Sequence, residues 1–476
     1  MDKRKDIVKY QGYAARKRSI ALSDAALALV IIGLGALFIA MAWFFTITKA
    51  IIGIFAILAL FAAFFSPEMV FYIFIISLCF PVPLKVGGLT LVMPDFAIFL
   101  LFFTLLMRLA SQRRLIFLPG LYVVASGFML LAMIFSSMAS ANISRSMPEI
   151  VQIGYYMLFI PFLVMNLAED TPSVNKYFKV HALFLVGHAV LIIVQYQLAL
   201  AGNFMITDIF AYANRGDYTL RSFGSIGAGA GLHLGVACTV LVSWMFNTRN
   251  PAAKSMLAGA AVICFYAILC TGTRSTTVFA CVAIVLLLLY HRHFIEFMGA
   301  TFAFFVGILF VARYGQDIYP FKLFYHGEAF RYTDIDSAMN TFYQNPLLGV
   351  GPMQFMRQRG YEQVAGVENE FVAQLASGGV VGAGAFIALL AVVIMLLAQA
   401  MRGRNSLTYE TAGMVLFSFL IFVMAAFTVT SLFDGGIAQI FMLTVGYALA
   451  VHHYECQGGR EQDYDPLPPQ QNTHRT

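Results

Sequence analysis

Long apolar runs separated by short polar turns fill this chain. Fourteen such runs can be read, at about 22–44, 48–65, 68–82, 92–109, 116–138, 148–167, 178–200, 224–246, 253–271, 275–290, 295–312, 378–401, 409–431 and 435–452. Many approach the roughly 20 residues that a helix needs to cross about 30 Å of hydrocarbon. Lipid offers the backbone no hydrogen-bond partners, so spans this apolar are expected to be helices. The pattern predicts an all-α polytopic membrane protein with about 12–14 transmembrane helices. One long polar interval, 313–377, interrupts it and is expected to be a large loop containing short helices. The expected organisation is therefore a basic N-terminus at 1–21, helices over 22–312, the loop 313–377, further helices over 378–452, and a polar, disordered tail at 453–476.

Composition supports this division. Charged residues make up 11% of the chain, less than half the roughly 25% of a soluble domain. The six cysteines (Cys79, Cys238, Cys264, Cys270, Cys281 and Cys456) are scattered, mostly within apolar runs. They form no CxxC pair and are read as packing residues, with no disulfide framework and no metal site. No metal or cofactor is expected.

The basic residues orient the helices. If Lys3, Arg4, Lys5, Lys9, Arg16, Lys17 and Arg18 lie inside, alternation also places Arg108, Arg113, Arg114, Lys176, Lys179, Arg249, Lys254, Arg292, Arg402 and Arg404 inside. That assignment follows the positive-inside rule and puts both termini in the cytoplasm and the interval 313–377 outside. The first apolar run is longer than a signal h-region and lacks a small-residue cleavage site, so it is read as a retained helix. No phosphate-binding loop ends in Lys-Ser/Thr, and no basic patch interleaves with aromatics, so nucleic-acid binding is not expected. Nor is there an internal repeat of the kind on which many secondary transporters are built.

Against this background a few polar residues stand out. Arg215, Arg221, Arg274 and Arg331 fall at or near the outer ends of helices, against the charge trend. A guanidinium grips phosphate through two parallel hydrogen bonds and keeps its charge, so a diphosphate site would use two or three of them. Each could instead snorkel or pair with a nearby aspartate. In 313–377 five basic residues face seven acidic ones, so the case rests on particular arginines and not on net charge. Glu368, Asn369 and Glu370 precede the span beginning near 378. A carboxylate there suits a general base, or serves only to complement the helix dipole. Asp95 lies at an outer helix end as a candidate arginine partner. The segment from Pro346 to Pro352 reads as a turn that carries no chemistry itself. Glycines in GSIGAGAGLHLG open a membrane helix and are read as close-packing residues. His181, His188 and His233, within helices, are expected to hydrogen-bond between helices.

The order of these pieces resembles the O-antigen ligase/polymerase superfamily, which includes Wzy-type polysaccharide polymerases and O-antigen ligases. The residues concerned are Arg221-Ser-Phe-Gly224, Thr273-Arg274, Arg331, the Pro-Leu-Leu-Gly-Val-Gly run from Pro346 to Gly351, and Glu368-Asn369-Glu370-Phe371-Val372 followed by Gly379 to Gly382. The likeness is best over about 215–395. Where ligases of that family carry His, this chain has Glu368.

The resemblance implies a membrane glycosyltransferase of the GT-C type, inverting and metal-independent, acting at the extracytoplasmic face of a bacterial inner membrane. Its donor would be a glycan on undecaprenyl diphosphate, held by Arg221, Arg331 and Arg274. Glu368 would act as base and Asn369 would position the acceptor, with Arg215, Glu370 and Asp95 as accessory candidates. The expected function is polymerisation of lipid-linked repeat units into exopolysaccharide or O-antigen. Two alternatives stand beside it: ligation of the glycan to lipid A core or protein, and transport of a small anion or lipid-linked sugar. Expected partners are the lipid-linked donor and acceptor, membrane lipid, and the flippase and chain-length regulator of the same pathway.

Overall fold

A computed structural model of the chain describes residues 67–462, apart from 80–82, 87–88, 113–115, 141–142, 201–211, 215–219, 223–228, 315–328, 353, 355–368, 403–405 and 429–434. All described residues belong to the compact unit Ala62–Thr476. The basic N-terminus, the runs 22–44 and 48–65, Arg215 and Glu368 lie outside the described residues.

Among the described residues the architecture is all-α apart from two short antiparallel hairpins. In chain order the elements begin with α1 (Pro67–Leu78), β1 (Pro83–Val86), β2 (Leu89–Val92), α2 (Met93–Gln112), α3 (Gly120–Met138), α4 (Ile143–Leu167) and α5 (Thr171–Leu200). There follow β3 (Tyr212–Asn214), β4 (Leu220–Ser222), α6 (Ala230–Asn247), α7 (Pro251–Thr271), α8 (Arg274–Tyr290) and α9 (Phe294–Tyr314). The series ends with α10 (Ala329–Gln344), α11 (Glu370–Ala400), α12 (Ser406–Ala425) and α13 (Gly435–Gln462). Among the described residues seven helices are long and apolar enough to cross a membrane: α3, α4 from Ser146, α5 to Leu198, α6, α7, α11 and α12. Shorter apolar helices within α1, α2, α8 and α9 accompany them.

Local chemistry sets the helix ends. At α7, Asn250 accepts a hydrogen bond from the backbone N–H of Ala252 at 3.0 Å, and Pro251 takes the first helical position, where a missing N–H costs nothing. The same helix stops at Gly272, whose left-handed backbone returns its N–H to the Leu269 carbonyl at 3.0 Å.

Helix α13 forms the middle of the bundle, buried from Ile437 to Val451 and packed on α4, α11 and α12. A Cβ at Gly446 would meet Val164 Cβ at 2.9 Å and Pro161 Cα at 3.1 Å, so hydrogen at this position sets how closely α13 crosses α4. Peripheral helices turn apolar side chains outward, among them Phe128 and Phe135 on α3, Met256 and Val262 on α7, and Ile295 and Phe302 on α9. In a membrane this is the lipid-facing surface.

Gly446→Leu is expected to force α4 and α13 apart and to lower the thermal unfolding midpoint in detergent, at a cost of about 1–3 kcal/mol. Gly259→Leu on α7, which meets nothing within 4 Å, is the matched control and is expected to melt close to wild type.

Candidate active site at a clasped, broken helix

The polar interval returns to the bundle through α10 and the turn that follows it. Asn345 donates its N–H back to the Thr341 carbonyl at 3.2 Å, and Gly349 donates to the Asn345 carbonyl at 2.9 Å. The run Pro346–Gly351 is thus the turn its composition predicts. What it turns onto is a break in α11. At Gly379 the backbone has φ 62° and ψ −162°, values outside the helical region.

A break inside a membrane helix strands two carbonyls and two N–H groups, and here the turn supplies all four partners. An unbroken helix would bond Val380 N–H to Ala376 and Val381 N–H to Ser377. Instead the Ala376 and Ser377 carbonyls accept from Val350 N–H at 3.1 Å and Gly351 N–H at 2.8 Å. The Val380 and Val381 N–H groups donate to the Pro346 carbonyl at 2.9 Å and the Leu347 carbonyl at 3.3 Å. The exchange is reciprocal, so these four groups are all paired. Left in hydrocarbon, each unpaired group would cost several kcal/mol.

Contact this close requires glycine on both sides. Gly349 has φ 64°, and a Cβ there would lie 2.4 Å from the Ser377 carbonyl; a Cβ on Gly379 would lie 2.3 Å from the Leu347 carbonyl. Both residues are left-handed, a conformation that other L-residues resist. Serines from the α3–α4 end hold the assembly from beneath. The Ser136 hydroxyl donates to the Ser377 carbonyl, and the Ser146 hydroxyl donates to the Pro352 carbonyl at 2.9 Å. Gln354 reaches Ser146 Oγ at 3.4 Å.

The first part of α11, Glu370 to Gly378, presents the candidate carboxylate segment. Asn369 caps it by accepting from Val372 N–H at 3.1 Å. The sequence pattern begins the span near 378, but the helix begins at Glu370, because this cap starts a helical segment ahead of the break. Glu370 is fully buried (0% exposed). Its carboxylate accepts from Gln374 Nε2 at 2.7 Å, and its N–H donates to the Ala426 carbonyl at 2.6 Å, tying α11 to the end of α12.

Position 331 lies in the first turn of α10, which packs on α11. Ala338, Val350 and Ala376 form one small core, closed by Ile335 and Val372. Both helices run toward the clasp. Two turns back from Ala338 is Arg331, and two turns back from Ala376 is Asn369, so the two candidates sit at the same end of the pair. Arg221 lies in β4, paired with Ala213 of β3, and β4 packs on α5 and α7. Arg274 opens α8 directly after the turn that ends α7, half-buried beside Thr273. The described packing sets the helix that carries position 331 beside the helix that Asn369 caps, and separately sets the Arg221 strand against α7, the helix that leads to Arg274. Asp95 lies elsewhere, 2% exposed among α2, α4 and α13. It accepts from Tyr156 Oη at 3.0 Å and from Gln439 Nε2 at 2.9 Å.

The sequence did not reveal Ser136, Ser146 and Gln354 as supports of the site. The polar stretch SSMASANISRS at 136–146 reads only as a connection between two spans, because its partners lie more than 200 residues away.

Fold and site together define a multi-pass helical membrane protein whose polar segment folds back onto a broken helix. Residues 259–387 match the model of a protein family described as O-antigen ligase. Over that segment the chain is similar to the O-antigen ligase/polymerase superfamily. The matched region runs from within α7 to just past the break in α11, taking in Arg274, Arg331, the turn and Asn369. No curated protein matches the chain.

Gly379→Ala and Gly349→Ala are each expected to cost about 1–3 kcal/mol for the left-handed backbone, with a further loss from overlap with backbone atoms. Folded yield and melting temperature in detergent report both. Gly384→Ala, on the same helix with nothing within 4 Å, is expected to be neutral or to stabilise by up to about 1 kcal/mol. Asn369→Ala is expected to cost about 1 kcal/mol through loss of the cap, and Asn369→Asp to recover most of it.

Proposed function

We propose that the protein polymerises glycan repeat units carried on undecaprenyl diphosphate, at the extracytoplasmic face of a bacterial inner membrane. The observation that carries this reading is the family match over 259–387, which spans Arg274, Arg331, the clasp and the Glu-Asn-Glu segment. The match itself supports the coarser statement, membrane glycosyl transfer of the ligase/polymerase kind acting on lipid-linked glycans. The finer reading is ours.

In it, Arg221, Arg274 and Arg331 hold the diphosphate of the donor and stabilise the negative charge that develops as it leaves. Glu368 accepts the proton of the attacking acceptor hydroxyl, and Asn369 fixes the neighbouring backbone through its cap. The acceptor oxygen bonds to the anomeric carbon as the bond to the diphosphate breaks. Attack from the opposite face inverts that carbon. Glu370 supports this assignment indirectly. Its contacts with Gln374 and α12 are those of an anchor, and the base role in this reading is given to Glu368. Placement of Arg331 and Asn369 at one end of the α10–α11 pair supports it as well. The flippase and chain-length regulator of the same pathway are the expected working partners.

The family's description as O-antigen ligase favours a second reading, in which the same site transfers a finished glycan to lipid A core or to protein. One experiment separates the two. A strain lacking the protein is complemented with wild type, Glu368→Gln or Arg331→Ala, and lipid-linked and surface glycans are sized on a gel. Polymerisation predicts only single repeat units without the protein and with either variant. Long chains that stay on the lipid carrier would point to ligation, and normal polymer length with both variants would remove Glu368 and Arg331 from the site.

A further inference from the structure

The membrane interior holds a polar pair that glycosyl transfer does not use. His181 on α5 is 1% exposed and Tyr447 on α13 is 0% exposed. Their rings lie 6.5 Å apart, against Phe178. Among the described residues neither imidazole nitrogen of His181 and no acceptor or donor for the Tyr447 hydroxyl finds a hydrogen-bond partner. The sequence pattern predicts a helix–helix hydrogen bond for this histidine, and the direct bond is not made. Polar atoms buried in hydrocarbon need a partner, and water can supply one where two to four polar groups lie near it.

A pocket of about 390 Å³ opens at the start of α5, lined by Asn175, Lys176, Lys179, Trp244 and Leu407 among others. Asn175 is buried and donates to Thr411 Oγ1 on α12 at 2.9 Å. One turn earlier on α12, the buried Thr408 hydroxyl also has no partner among the described residues. From Asn175 to His181 is six residues, about 9 Å along the helix axis. Beyond His181 the same buried face of α5 carries His188 and Gln195 at seven-residue intervals.

We propose that His181 and Tyr447 hold internal water, fed past Asn175, Thr408 and Thr411 from the pocket at the start of α5. The pair is thereby a solvent-reached, proton-exchanging site in the middle of the membrane domain. The charge pattern places the pocket on the cytoplasmic side, opposite the candidate active site. This water site is independent of the glycosyl-transfer reading.

Radiolytic hydroxyl labelling tests it, because a brief X-ray pulse converts bound water into radicals that oxidise the side chains beside it. Tyr122 is an internal dry control, equally buried (0% exposed) and bonded directly to the Met157 carbonyl at 2.7 Å. In the full-length protein in lipid nanodiscs, Tyr447 is expected to be oxidised well above Tyr122. That excess is expected to be lost in His181→Leu and reduced in Asn175→Leu, where the route is closed. Protection of Tyr447 equal to that of Tyr122 in wild type would overturn the proposal without any variant. Undiminished labelling of Tyr447 in a folded His181→Leu protein would overturn it too, by showing that His181 does not hold the water.

Discussion

Four backbone hydrogen bonds between the Pro346–Gly351 turn and the break at Gly379 are what the candidate site depends on. A membrane helix cannot simply stop bonding to itself, because hydrocarbon supplies no substitute partners. Here the four groups freed by the break meet four groups freed by the turn, in reciprocal order. The pairing works only if backbone touches backbone, which explains glycine at both 349 and 379. The turn is thus joined to a transmembrane helix by backbone hydrogen bonds.

That joint has consequences for chemistry. It sets α10 beside the first part of α11, so that the starts of both helices are fixed relative to one another. Those starts carry Arg331 and Asn369. Arg331 therefore lies on a short helix, as expected within the polar interval, and Asn369 caps a helix whose Ser377 carbonyl is held by Ser136. Preorganisation of this kind is what a transferase needs if an arginine is to meet a leaving diphosphate without rearrangement. Glu370, buried and bonded to Gln374 and α12, braces the same corner.

Much of the architecture was legible in the sequence because a membrane imposes a simple code: apolar length gives helices, and capping residues give their ends. The run read at 253–271 is α7, and in the structure Asn250-Pro251 and Gly272 bound it. The turn at Pro346–Gly351 was legible too, but its purpose was not. Its partners are backbone atoms of a distant helix, and backbone pairing leaves no side-chain signature except the glycines that permit it. The start of α11 at Glu370 was hidden for a related reason: Asn369 caps a segment too polar to look like the beginning of a span. Asp95 reads as a residue at an outer helix end; its burial is not legible there, because Tyr156 and Gln439 converge on it from two other helices. Contacts of that range are set by packing, and packing is not periodic.

The most direct test is reconstitution of the purified protein in liposomes with one substrate, an undecaprenyl-diphosphate-linked oligosaccharide of defined length. Chains lengthened by whole repeat units, with release of undecaprenyl diphosphate and an inverted anomeric linkage at each new bond, are the predicted result. Reaction only after lipid A core or another foreign acceptor is added would contradict polymerisation. Passage of intact glycan into the lumen without any new bond would contradict glycosyl transfer altogether.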